Sequence, residues 1–201
     1  MDVIFTAMLA AFIIWLLRAR EQGRRIALLG SHLGAYQIEK HMETLTQGYL
    51  RALGEDDPQR REQIWGLLGS TERQLSEQVK RFAAGLARAG EAETRVSRLP
   101  FYLPFATTLL PAASFDLRQA LAVHARGIAE VANGGGQPSP KARAFTMSAE
   151  LFLMQHTCHW FCKSRAVASA RMLARHQTRH EQLVASVAPG TRAAYLQLVG
   201  R

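Results

Sequence analysis

Val3-Ile-Phe-Thr-Ala-Met-Leu-Ala-Ala-Phe-Ile-Ile-Trp-Leu-Leu17 is fifteen residues without a charge, and Thr6 is its only polar member. Nine of the fifteen are Val, Ile, Leu or Phe. At central bilayer positions such side chains together favour insertion by about 3–5 kcal/mol. No polar face interrupts the run, so a helix lying flat in the interface is the poorer description. Fifteen residues rise only about 22 Å, short of a hydrocarbon core of roughly 30 Å. Arg18 and Arg20 can snorkel, Trp15 can sit near headgroups, and the bilayer can thin locally. A buried helix docked on a partner is the alternative. The expectation is a transmembrane signal anchor over residues 1–20.

The charges beside this run set its orientation. Arg18, Arg20, Arg24 and Arg25 follow it against a lone Glu21, whereas only Met1 and Asp2 precede it. The positive-inside rule then sends the N-terminus out and keeps the bulk of the chain cytoplasmic, as in a single-pass protein of a bacterial-type inner membrane. A cleaved signal peptide fits badly, because no positive n-region precedes the run and no A-x-A-like site follows it. Ala7 and Ala11 form a small-x-x-x-small pair that could seat another transmembrane helix, so a homo-oligomer stays open.

Behind the anchor, Ala, Leu, Arg, Glu and Gln abound and β-branched residues are sparse, which favours helix throughout. The predicted fold class is all-α: a single N-terminal transmembrane helix followed by an antiparallel helical bundle over 21–201. Apolar residues at three- and four-residue steps predict helices over 21–53 and 57–89. The first could continue the anchor as a stalk, with Gly30 and Gly34 either admitting another backbone or weakening the helix by about 1 kcal/mol each. Asp57-Pro58 reads as a cap and first turn, and the short connection predicts an antiparallel hairpin. Further helices are expected over 115–132, 140–183 and 191–199, with a loop at 133–139 where Asn133-Gly-Gly-Gly-Gln-Pro-Ser139 breaks the chain. Ser139-Pro140 caps the next helix, whose residues from Ala144 to Cys162 contain no Lys or Arg and mark it as central and buried. Glu150 on that stretch needs a partner, and an Arg from a neighbouring helix is the expected one.

Residues 99–115 stand apart. They carry no charge, and Pro100, Pro104 and Pro111 forbid one regular helix. Phe101, Tyr102, Phe105 and Leu109 either strap the bundle core or contact the membrane interface or a partner.

The formal net charge is +9. Between Lys141 and His180 the only acidic residue is Glu150, against Lys141, Arg143, Lys163, Arg165, Arg171, Arg175 and Arg179. Such a surplus attracts polyanions. For an anchored protein the nearer polyanion is lipid, so Arg18, Arg20, Arg24, Arg25, Lys163, Arg165, Arg171, Arg175 and Arg179 become candidates for anionic-surface contact. A solvated basic face without a partner is the plainer account. Nucleic acid is the weaker reading, since no helix-turn-helix or zinc-finger spacing accompanies the run.

One cluster could carry metal chemistry. His156, Cys158, His159 and Cys162 lie at steps of three and four, and imidazole and thiolate are ligands for zinc. One helix seldom presents four ligands to one point, so His124, His32 or His41 would have to contribute. No Cys-x-x-Cys or His-Glu-x-x-His spacing is present. The favoured account is that both cysteines and both histidines are core residues. No nucleophile elbow or phosphate-binding glycine loop points to an enzyme. The function expected from sequence is a membrane-anchored adaptor or accessory subunit binding a protein partner or an anionic membrane surface. The alternative is a metal- or cofactor-binding sensor or enzyme built on the His156–Cys162 helix.

Overall fold

A computed structural model of the chain describes residues 2–200. Met1 and Arg201, the outer ends of the expected anchor and bundle, lie outside the described residues. Helix α1 runs from Asp2 to Leu33 without interruption. Its 32 residues extend about 48 Å. Between Val3 and Arg20 its side chains are exposed apart from a half-buried Leu17, and Gln22 is the first that is buried. Among the described residues α1 is the one helix long and apolar enough to cross a membrane.

The stalk expected to continue to residue 53 ends at Leu33. The amide of Gly34 bonds the Gly30 carbonyl at 2.9 Å, closing the last turn. Tyr36 then swings against the Phe82 ring, and Gln78 accepts the Gln37 amide at 2.7 Å. The chain re-enters helix as α2, Ile38–Leu53. The two glycines therefore terminate a helix rather than seat a neighbour, and the space beside a Cβ at Gly30 is empty to 4 Å. After the turn, Asp57 accepts the Gln59 amide at 2.8 Å and starts α3, Pro58–Leu86. Pairings of His41 with Gln78 and of Tyr49 with Glu72 show that α2 and α3 run antiparallel.

A short helix α4, Glu91–Thr94, leads into strand β1, Arg95–Ser97. This strand pairs antiparallel with β2, Ser114–Asp116, in the register Val96 to Phe115. The helix expected to begin at 115 starts two residues later, because Phe115 is drawn into the strand pair and packs edge-on against Trp160 at 5.0 Å. Asp116 accepts the Arg118 amide at 2.8 Å and caps α6, Leu117–Ala132. Between the strands lie α5, Ala106–Leu109, and one 3-10 turn at Pro111–Ala113.

The loop occupies 133–139, and α7, Pro140–Cys162, is the central helix, flanked by α1, α6 and the two helices that follow it. The expected single helix over 140–183 is three. Ser164 accepts the Val167 amide at 3.3 Å and opens α8, Arg165–His176. Gln177 at φ 51° closes it, and α9 covers His180–Ser186. Folding back buries Met172, Leu183 and Val184, which a straight helix would leave in water. Helix α10, Pro189–Val199, completes the core beside α6.

Candidate functional site

The arginine-rich stretch of α1 enters the bundle on one side only. Arg25 pairs with Glu21 at 2.9 Å, donates to the Phe161 carbonyl at 3.1 Å and lies over the Phe161 ring. Gln22 accepts from Lys163 at 2.9 Å. These contacts fix α1 to the end of α7. They leave Arg18, Arg20 and Arg24 exposed around the helix, with no acidic partner among the described residues.

The same end of the bundle holds the uncharged segment. The Phe105 amide donates to the second Glu21 oxygen at 3.4 Å, and Arg18 lies over the Tyr102 ring at 5.7 Å. Burial and the nearby Glu21 carboxylate push the half-buried Tyr102 hydroxyl to higher pKa. The Pro100 carbonyl accepts the Ala166 amide at 2.9 Å, tying the segment to the first turn of α8. Ala106 is buried, but Phe101, Phe105 and Leu109 are 62%, 52% and 68% exposed. Phe105 sits at φ 58°, a conformation unfavourable for an aromatic residue, and is held there by its neighbours. The segment is thus a strap whose backbone is anchored and whose large apolar side chains point away from the core.

The remaining basic candidates divide. Lys163 and Arg165 join this end, Arg165 lying over the Trp160 ring at 5.6 Å. Arg171 and Arg175 are exposed along α8, which returns along α7 until His176 stacks on Phe152, and Arg179 is exposed just before α9. They form a second basic surface rather than an extension of the first.

The His and Cys quartet is not gathered. Cys158 is half-buried and its thiol is pushed up to about 12 by burial and by Cys162; burial likewise raises Cys162. Burial thus favours the neutral thiol at both positions. Burial and the cations Arg171 and Arg175 lower the His159 pKa. His32 bonds the carbonyl of Leu28 and His41 meets Gln78, both away from α7. Among the described residues no group of three or more His, Cys, Asp or Glu side chains is placed to hold a metal ion.

His156 belongs instead to a buried polar cluster. Its Nε2 pairs with Ser169 at 3.1 Å and its ring lies 4.4 Å from that of His180. His180 pairs with the Tyr195 hydroxyl at 3.2 Å, and His124 with Thr157 at 2.9 Å. The Nδ1 atoms of His124 and His156 have no hydrogen-bond partner among the described residues. Burial drops the pKa of both histidines to about 3, helped at His156 by His180, His159 and His124. His180 is lowered by burial and raised by Glu181, whose carboxylate is 3.9 Å away. Periodicity along one helix points to His156; its partner His180 lies on α9 and no spacing signal marks it.

Glu150 corrects a further expectation. Among the described residues no arginine pairs with it. Its carboxylate accepts the Ala188 amide at 3.0 Å, at the start of α10, and lies beside the Thr191 hydroxyl. Burial lifts its pKa to about 7. The helix end offers a buried acid the positive end of a dipole, which serves in place of a guanidinium. Buried carboxylates that do pair with an arginine are Asp116, 2.7 Å from Arg118, and Glu72, 3.1 Å from Arg143 and accepting from the Tyr49 hydroxyl at 2.7 Å.

No protein-family model, curated protein or solved structure matches this chain.

Proposed function

We propose that this chain is a single-pass membrane-anchored helical adaptor or accessory subunit, with α1 in a bacterial-type inner membrane and the bundle seated on the anionic cytoplasmic face. The observation that carries this reading is the strap. Its exposed Phe101, Phe105 and Leu109 are tied through Glu21 and Arg18 to the stretch of α1 where the apolar run gives way to arginines. Along a helix that crosses a bilayer, that stretch is the headgroup level, where aromatic and basic side chains are both stabilised. Exposed Leu50, Leu53 and Leu67 on the α2–α3 hairpin supply apolar surface for a protein partner elsewhere on the bundle.

Spin labels on Leu109→Cys and Leu67→Cys, in full-length protein lacking its native cysteines, test the seating in nanodiscs of phosphatidylethanolamine and phosphatidylglycerol. Both leucines are exposed to a similar degree. The expected result is a Leu109 label relaxed by oxygen and shielded from an aqueous nickel chelate, with the Leu67 label the reverse. Equal access of the nickel chelate to both would overturn the reading.

A further inference from the structure

A groove of about 510 Å³ lies between α1 and the strap. One wall is a single face of α1, Leu17, Arg20 and Arg24; the other includes Phe105, Thr107 and Thr108. Its volume is in the range of small-ligand sites. Leu17 lines the end nearer the apolar run, Arg20 and Arg24 follow one to two turns later along α1, and Leu28 lies beyond them. The strap adds Phe105 and the hydroxyls of Thr107 and Thr108 to the same lining.

The charges leave room for one anion. Glu21 also lines the groove, but Arg25 pairs with it and the Phe105 amide bonds it, so its charge is answered within the protein. Arg20 and Arg24 then face Glu93, a surplus of one positive charge. A phosphodiester carries one negative charge, and Arg and Thr donors are the groups that bind phosphate oxygens. Beyond Leu17 the same face of α1 presents Ile13, Ile14 and Leu9, all exposed. An acyl chain leaving the groove in that direction would meet a continuous apolar track.

We infer that this groove is a discrete site for one anionic glycerophospholipid, the phosphate held by Arg20, Arg24, Thr107 and Thr108 and a chain running past Leu17 onto α1. The site rests on the membrane seating proposed above and goes beyond it: a diffuse basic surface binds lipid without stoichiometry, whereas a groove binds one molecule.

Native mass spectrometry of the full-length protein in detergent, titrated with phosphatidylglycerol or phosphatidylcholine, counts what is retained. One phosphatidylglycerol per chain is expected under conditions that strip phosphatidylcholine. Arg20→Ala with Arg24→Ala should lower that retention at least about tenfold, while Arg51→Ala with Arg60→Ala, exposed on the α2–α3 hairpin, should leave it unchanged. Equal retention of the two lipids, or equal loss in the two double variants, overturns the site. Displacement by millimolar glycerol phosphate, which has no chain, would assign the groove to a soluble phosphate and overturn the lipid assignment. If phosphatidylglycerol is not retained while the Leu109 label stays shielded from nickel, the groove alone fails; a water-exposed Leu109 label removes the seating itself.

Discussion

His124, His156 and Glu150 are buried groups whose titration the fold pushes in opposite directions, and together they set how stability depends on pH. Each histidine takes up a proton near 6.5 when unfolded but only near 3 when folded. Stability from each is fully present above 6.5 and is lost as pH falls toward 3, by about 1.4 kcal/mol per pH unit. Glu150 behaves inversely, because its pKa is raised from 4.5 to about 7. The folded chain then holds a proton that the unfolded chain has released, so the Glu150 contribution is complete below 4.5 and lost as pH rises to about 7. The slopes of His124 and His156 oppose that of Glu150 between 4.5 and 6.5, and burial of His159, His176 and His180 adds to the histidine side, so stability should rise there by at least about 1.4 kcal/mol per pH unit and turn over near neutrality. In Glu150→Gln the opposing slope is gone, and the rise should be steeper by about 1.4 kcal/mol per pH unit. Urea melts across this range read both slopes; a wild-type curve that is flat or descending between 4.5 and 6.5 would show that the histidines are not held neutral.

Helix α6 meets α7 and α10 through Gly127, and the closeness of that packing sorts the glycines of this chain into two kinds. A Cβ at Gly127 would come within 2.7 Å of a Glu150 carboxylate oxygen and press on the Thr191 hydroxyl. Gly127→Ala should therefore cost about 1–3 kcal/mol by overpacking. Gly66 on the exposed face of α3 has nothing within 4 Å of that position, and Gly66→Ala should gain about 0.5–1 kcal/mol from helix propensity alone. Opposite shifts in urea midpoint are the expected outcome, and two gains would mean that α6 and α10 do not approach closely. The same contrast explains which helix ends were legible in the sequence. Asp57-Pro58 and Ser139-Pro140 carry their own capping chemistry, so the starts of α3 and α7 follow from local residues. The ends at Cys162 and His176 have no proline and only Ser164 as a cap, because what stops those helices is the burial of Met172 and Leu183 elsewhere; at Leu33 the glycines end the helix, but a glycine pair along a chain reads equally as a packing site. Three-residue strands are too short to show a period. The strap was visible as an uncharged, proline-broken run, but its anchorage to Glu21 joins residues 84 positions apart, and no pattern along the chain encodes that. The histidine cluster was hidden for the same reason, since it is assembled from α6, α7, α8, α9 and α10.

On the proposed membrane seating, folding and placement draw on different apolar residues, and this separates their tests. Phe115 is 3% exposed and packed on Trp160, so a charge there removes core. Phe101 and Phe105 lie mostly outside the core, and surface substitutions of that kind usually shift stability by no more than about 0.5 kcal/mol. Phe105 adds a further consideration. Its left-handed backbone is one that Asp tolerates better than Phe, so Phe105→Asp relieves strain while it removes an aromatic ring. The combined Phe101→Asp, Phe105→Asp protein should therefore melt close to the parent in detergent, where no bilayer rewards the rings. In an anionic nanodisc the same protein should lose its seat: two carboxylates at headgroup level meet both the lipid phosphates and an interface that no longer gains from aromatic burial. A label at Leu109 would then become accessible to the nickel chelate while α1 still holds the chain in the disc. A lowered melting temperature together with an unmoved label would instead make the strap part of the core, and the anchor alone would have to position the bundle.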